Sequence, residues 1–205
     1  LKMKTGRDNV ASDIERVNRV SRLLPLGTKL RLDANRLWDL DTAVRFGQHI
    51  DYETIEYIEE PCNTIEDSIE FHSRTRVPIA LDESLTGLEP DDFSFPDGVI
   101  AVVLKPTLLG GMARCDHWVE KAREHSITSV ISSCFEAGPG FAALLSFILS
   151  NDLQAVSCGL DTLRALHFTL FHKPPGIQAG FLSPRSALVG TCSEIFNFDL
   201  MEPLL

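Results

Sequence analysis

Apolar and polar positions along the chain fall into two alternating patterns. Short runs rich in β-branched residues alternate with longer stretches whose apolar residues recur every three or four positions, the signature of repeated βα units and a parallel sheet. The chain opens on Leu1-Lys2-Met3-Lys4, which reads as strand. Residues 11–24 then place Ile14, Val17, Val20, Leu23 and Leu24 at helical spacing, and Pro25 and Gly27 stop that helix. Further strands are predicted at Lys29–Asp33, Thr54–Glu59, Val77–Asp82, Val99–Lys105, Ile127–Ser133 and Ala155–Gly159. Helices are predicted at 39–50, 64–74, 112–125 and 138–150, with a Pro/Asp/Gly-rich connection over 85–98. Residues 174–205 lose the rhythm, because Pro174, Pro175, Gly176, Gly180 and Pro184 break up the apolar segments. The expected division is a βα region over 1–165 and a loop-rich tail over 166–205.

Seven strands in this rhythm suit an α/β fold of the closed (β/α) TIM-barrel type. An eight-stranded barrel takes roughly 250 residues, so one βα unit is expected to be missing from these 205. A doubly wound open sheet would carry a glycine-rich phosphate loop after an early strand, and none is present. The start on Leu1 rather than methionine is read as that of a fragment of a longer chain. The formal charge of −10, with no basic stripe, argues against a nucleic-acid partner. No apolar run reaches the roughly 18 residues of a membrane span, and there is no signal peptide. Cys62, Cys115, Cys134, Cys158 and Cys192 show neither a C-x-x-C pair nor zinc-like spacing, which suits free thiols in a reducing, cytoplasmic compartment.

The candidate chemistry is positional. Polar residues that a buried strand should avoid recur at the carboxyl ends of the strands: Lys2 and Lys4, Asp33, Glu59, Asp82, Lys105, and Ser132 with Ser133. Any one acid there is ordinarily a helix N-cap, and a single lysine ordinarily a snorkelling surface residue. Recurrence on successive strands is what defeats the bland explanation, because in a parallel barrel all those ends meet at one mouth. Three carboxylates gathered there resist ionisation unless a cation neutralises them, and all-oxygen ligation suits Mg²⁺, with Mn²⁺ as the alternative.

These residues also carry a family resemblance. Leu30-Arg31-Leu32-Asp33-Ala34-Asn35-Arg36-Leu37-Trp38 resembles the third-strand "DAN" motif of the muconate-lactonising subgroup of the enolase superfamily. Ile58-Glu59-Glu60-Pro61-Cys62 resembles its "EEP" motif, Ile79-Ala80-Leu81-Asp82-Glu83-Ser84 its "DES" motif, Val103-Leu104-Lys105-Pro106 its sixth-strand lysine motif, and Lys2-Met3-Lys4 its K-x-K. The motifs occur in family order over about residues 1–165. The "DANR-x-W" form, Ile131-Ser132-Ser133 and Gly159-Leu160-Asp161-Thr162 are most similar to o-succinylbenzoate synthases of menaquinone or phylloquinone synthesis.

The resemblance implies that Asp33, Glu59 and Asp82 ligate Mg²⁺, that Lys4 is the base with Lys2 beside it, and that Lys105 faces Lys4 across the substrate. It implies that Arg31 and Asn35 orient the site, and that Ser132, Ser133 and Gly159 line the substrate. Strand alternation turns Glu60 away from Glu59. The implied reaction removes the proton α to a carboxylate of 2-succinyl-6-hydroxy-2,4-cyclohexadiene-1-carboxylate and then the hydroxyl, a lyase reaction whose developing anion the metal stabilises. The implied partner is thus a small-molecule carboxylate; a homo-oligomer stays open, as does a plastid location for a photosynthetic source. The N-terminal capping domain and first barrel strand of the family are missing, and the tail is expected to pack toward that cap. Cys134-Phe135-Glu136-Ala137-Gly138-Pro139-Gly140 departs from the serine-rich continuation expected after the seventh strand. Two alternatives stand beside the synthase: an N-acylamino acid racemase or dipeptide epimerase, and a non-catalytic barrel fragment.

Overall fold

A computed structural model describes residues 1–190 and 192–197, apart from the side chains of Ser186 and Ser193. The chain forms two compact units, residues 1–103 with 117–129, and 104–116 with 130–205. One sheet contains β1 (Lys2–Lys4), β2 (Leu30–Asp33), β3 (Ile55–Glu59), β4 (Ile79–Leu81), β5 (Val99–Leu104) and β6 (Thr128–Ile131), in chain order. The pairs from β1/β2 to β4/β5 are all parallel. The helices between them are α1 (Val10–Ser21), α2 (Leu40–Gln48), α3 (Ile65–Thr75), the single turn α4 (Pro106–Leu109) and α5 (Met112–Glu124), and β4 is followed by a 3₁₀ turn, Glu83–Leu85. Strands neighbouring in chain order, with helical crossovers, are the arrangement of a (β/α) barrel, here six strands of one.

In the first unit the helices begin where short polar side chains can accept an otherwise unpaired N–H. Asn9 accepts from Ser12 N (2.9 Å), Asp39 from Thr42 N (2.8 Å) and Thr64 from Asp67 N (3.1 Å). Leu30, Leu32, Ile58, Ile79 and Leu81 are completely buried, and Phe46 and Phe71 pack from α2 and α3. Each such side chain contributes roughly 1.5–3 kcal/mol on leaving water. A Cβ on Gly47 would lie 2.7 Å from the Phe71 ring, so glycine is what lets α2 and α3 approach.

The first helix stops at Ser21, short of the expected Leu24, and Leu23 is 78% exposed. Its buried side carries Asp13 as well as Val17. That carboxylate is satisfied by Gly6 N (2.7 Å) and by Arg16.

The second unit holds α6 (Gly138–Ser150), a hairpin of β7 (Ile177–Gln178) and β8 (Phe181–Leu182), and the single turns α7 (Arg185–Leu188) and α8 (Cys192–Ile195). The seventh strand expected at Ala155–Gly159 does not form. It is reduced to one bridge, with Gly159 N donating to Ile131 O and Ser133 N donating to Gly159 O, both at 2.8 Å. Ser157 and Gly159 are poor strand formers, and Ala155 and Val156 lie within a turn closed by Val156 N donating to Leu153 O, so no longer ladder is sustained. Part of the tail returns to α6. Gly138 N donates to Thr169 O (2.7 Å), and buried Phe171 meets Phe141 and Phe196 edge-on or tilted, at 6.4 and 5.2 Å.

Candidate active site

Register decides which side chains share a face in the first unit. Lys4 is opposite Asp33, Asp33 opposite Glu59, and Glu59 opposite Ala80. Parallel partners point to the same side, so Lys4, Asp33 and Glu59 share one face, with Lys2 two residues before Lys4 and Asp82 two residues after Ala80. The carboxylates of Asp33, Glu59 and Asp82 are all buried.

The two lysines close on these acids. Lys2 Nζ donates to both Glu59 oxygens (2.9 and 2.7 Å) and lies 2.8 Å from Asp33 Oδ2. Lys4 Nζ donates to the same Asp33 oxygen (2.6 Å) and to Asn35 Oδ1 (2.7 Å). Burial by itself favours the neutral amine of Lys2, but the charges of Glu59 and Asp33 outweigh it and the net pKa direction is upward. Burial likewise opposes the charge on Asp33, yet Lys2 and Lys4 together hold its pKa below the ordinary value. Glu59 goes the other way. Burial first, then the negative charges of Asp33 and Asp82, outweigh Lys2 and push its carboxyl up to about 8.

Asn35 and Arg31 take different places. Asn35 sits at positive φ (47°); its N–H donates to Asp33 Oδ1 (3.0 Å) and its Nδ2 to Glu83 Oε1 (3.1 Å), so it ties Lys4, Asp33 and Glu83 together. Arg31 instead donates from Nε and Nη2 to Glu56 at 2.8 Å each and lies 5.2 Å from the Tyr57 ring centre. The register steps by an extra residue there, Leu30 pairing with Ile55 and Arg31 with Tyr57, which leaves Glu56 as the bulge.

Sequence reasoning passed over Glu60. Its backbone turns left-handed (φ 47°), and its buried carboxylate accepts from Asp82 N (2.7 Å), Ser84 N (2.8 Å) and Ser84 Oγ (2.7 Å). The available signal was a second acid between a buried strand end and Pro61.

In the second unit, half-buried Lys105 follows β5 directly, and its carbonyl accepts from Leu108 N and Leu109 N, both at 2.9 Å, to start α4. Ser133 Oγ lies 3.0 Å from Gly159 O and 2.7 Å from Thr162 Oγ1, and Ser132 Oγ donates to Gly159 O at 3.4 Å. A Cβ at Gly159 would stand 2.8 Å from Ser132 Oγ, so a side chain there would displace that hydroxyl. The unexpected Glu136 is anchored by Cys134 N (2.6 Å) and the Thr107 hydroxyl.

Residues 1–191 match the family described as Enolase C-terminal domain-like. The chain belongs to that family.

Among enolase C-terminal domain-like relatives, the o-succinylbenzoate synthase of Thermobifida fusca (strain YX) is 37% identical over 176 residues, 85% of this chain and 54% of that protein. The chloroplastic protein PHYLLO of Arabidopsis thaliana is 31% identical over 210 residues, covering 92% of this chain and 12% of that protein. The crystal structure of MenC from Desulfotalea psychrophila LSv54 superposes with a TM-score of 0.75 at 24% identity, over 89% of this chain and 51% of that one, which shows a common fold. The chain thus spans about half the length of the synthase that it matches. Among the described residues no group of three or more His, Cys, Asp or Glu side chains is spaced to hold a metal ion as the side chains stand. None of the described helices is long and apolar enough to cross a membrane.

Proposed function

We propose that this chain carries the catalytic part of an o-succinylbenzoate synthase, which dehydrates 2-succinyl-6-hydroxy-2,4-cyclohexadiene-1-carboxylate with Mg²⁺ in menaquinone or phylloquinone synthesis. The observation that carries the proposal is the pairing of two lysines with buried, mutually repelling carboxylates on one sheet face, in a chain 37% identical to a protein of that name.

The donor set fits a hard divalent cation. Asp33, Glu59 and Asp82 offer only carboxylate oxygens and lie out of water, and Glu59 is driven toward its neutral form by burial and then by the charges of Asp33 and Asp82, which a bound cation would offset. The Lys2 ammonium, between Asp33 and Glu59, and the Lys4 ammonium on Asp33 are cations that the protein itself supplies there. Asp33, Glu59 and Asp82 would hold Mg²⁺, with Mn²⁺ as the substitute. When bound, the ion would supply charge that lowers the cost of an anion forming beside a substrate carboxylate.

The remaining roles belong to the chain's own groups. Lys4, released from Asp33 and in its neutral amine form, takes the α-proton at Nζ, and the hydroxyl leaves with that proton as water; Lys2 neutralises the acids beside it, and Asn35 orients Lys4. The roles of Lys105, as a positive charge facing the substrate, and of Ser132, Ser133 and Gly159, as substrate contacts, rest on the motif match. Arg31, held by Glu56, is a support beneath the site. The cytoplasm is the compartment that we assign; the chloroplastic relative supports a plastid where the source is photosynthetic.

The test is direct. The purified protein with Mg²⁺ should convert the cyclohexadiene substrate to the aromatic product, followed by ultraviolet absorbance, and Lys4→Ala should abolish the conversion. Deuterium incorporation at the α-carbon of N-acylamino acids without dehydration would select the racemase alternative. Absence of both reactions would favour the non-catalytic one.

A further inference from the structure

Two consecutive acids end β3, and only one faces the lysines. The left-handed turn at Glu60 (φ 47°) sends its side chain off the face that Glu59 occupies. A non-glycine residue in that conformation costs roughly 1–2 kcal/mol, so something must hold it. The backbone does so from both sides, Glu60 N donating to Ala80 O (3.1 Å) and Arg36 N donating to Glu60 O (2.9 Å). The side chain is 1% exposed and both its oxygens are engaged: Oε1 accepts two backbone N–H groups, and Oε2 accepts a hydroxyl. What it grips is the turn that carries Asp82, whose backbone (φ −131°, ψ −88°) is neither helical nor extended and whose own side chain does not cap the turn.

We propose that Glu60 is a positioning residue: its buried carboxylate fixes the Asp82–Ser84 turn and so aims the Asp82 carboxylate at the site shared with Asp33 and Glu59. The inference rests on the metal reading given above and deepens it, since it makes the second acid of the pair a determinant of metal affinity rather than a solvated neighbour. Groups that hold metal ligands in place typically change affinity by about 10–100-fold when removed. Glutamine is the discriminating substitution. Its carbonyl oxygen can accept both N–H groups, and its amide can donate to Ser84 Oγ, because a hydroxyl works in either direction. Aspartate keeps the charge but draws the carboxylate back from all three donors.

The experiment is a Mn²⁺ titration followed by electron paramagnetic resonance, with amide hydrogen exchange at residues 82–85 on the same samples. Glu60→Ala and Glu60→Asp should each weaken Mn²⁺ binding about tenfold or more and speed exchange at Asp82 and Ser84, while Glu60→Gln stays within about threefold of the unmodified protein. Should Glu60→Ala fail to fold, the contrast between the Asp and Gln variants decides. Equal affinity in Glu60→Asp and the unmodified protein, with both folded, overturns the positioning role and leaves the metal reading standing. Loss in Glu60→Gln as large as in Glu60→Asp also overturns it, since hydrogen bonding would then not be the cause. No Mn²⁺ uptake by the unmodified protein sinks the metal reading, and this inference with it.

Discussion

Replacing Glu59 by glutamine should stabilise the metal-free protein while removing its capacity for a divalent cation. The folded state holds this carboxyl up to about 8, against 4.5 for an ordinary glutamate, because burial and the charges of Asp33 and Asp82 outweigh Lys2. The sign follows from proton counting. Between pH 4.5 and 8 the folded protein keeps a proton that the unfolded chain gives up, so stability falls as pH rises through that window. The slope is about 1.4 kcal/mol per pH unit, and at pH 7 the accumulated loss is on the order of 3 kcal/mol. Asp33, whose pKa is lowered, contributes stability that is constant above the ordinary aspartate range, and Lys2, whose pKa is raised, contributes stability that is constant below the ordinary lysine range. Neither changes across this window. Glu60 is also raised by burial and adds a slope of the same sign, which survives the substitution.

Glutamine keeps an oxygen for Lys2, carries no charge to repel Asp33 and Asp82, and has no proton to lose. In chelator, Glu59→Gln should therefore melt roughly 6–12 °C above the unmodified protein at pH 7, taking about 2–4 °C per kcal/mol for a chain of this size. The gap should close toward pH 5. Differential scanning calorimetry at half-unit pH steps reads both quantities. Parallel pH slopes for the two proteins, or stability of the unmodified protein that rises from pH 5 to 7.5, would refute the reasoning.

Three further outcomes are expected. Gly98→Ala meets two obstacles, a backbone at φ +88° and a Cβ placed 2.3 Å from the His72 ring, so it should cost about 3 kcal/mol or more, measured by urea unfolding. That ring also donates from Nδ1 to Val77 O (2.8 Å), so a cost under about 1 kcal/mol would mean that His72 moves aside freely. Arg31→Met strands Glu56 and should lower stability by about 2 kcal/mol while leaving Mn²⁺ affinity unchanged; a tenfold affinity loss would return Arg31 to the site. Thr64→Ala should cost about 1 kcal/mol through its lost cap at the start of α3, with no effect on Mn²⁺ binding.

Sequence pattern carried most of the fold because the strands are short, apolar and bounded by turn residues. Six of the expected strands formed, with ends shifted by a few residues, and α6 matched at both ends. The seventh failed for a reason internal to it, since serine and glycine within a short run leave only the Gly159 bridge. The lysines and acids of the first unit were legible because charge at the end of a buried strand is conspicuous. What escaped was everything that breaks alternation. Strict period-two reasoning rightly turns Glu60 away from Glu59 and then stops, and only the left-handed turn reveals that the side chain enters the next loop instead of water. Glu56 was hidden likewise, because the bulge that rotates it toward Arg31 is a property of two strands in register, not of either alone. Asp13 sits in a helical run that reads as a solvated face until Gly6 N and Arg16 are seen to enclose it.

These three acids share a physical rule. A carboxylate is tolerated out of water only when donors are already fixed around it, and donors are fixed by backbone geometry that a pattern of apolar positions does not encode. Glu60 is met largely by backbone N–H groups, Asp13 by one backbone N–H and the Arg16 guanidinium, and half-buried Glu56 by a guanidinium fork. Glu59 is the exception, because among the interactions identified for it one half-exposed ammonium faces a carboxylate pressed by two others. A buried acid left that short of positive charge destabilises the fold that holds it, and a fold retains such a group where a cation bound in use offsets the cost. The melting experiment with Glu59→Gln therefore bears on function as well as stability. If added Mg²⁺ raises the melting temperature of the unmodified protein and leaves that of the glutamine variant unmoved, the instability and the binding capacity reside in the same carboxylate.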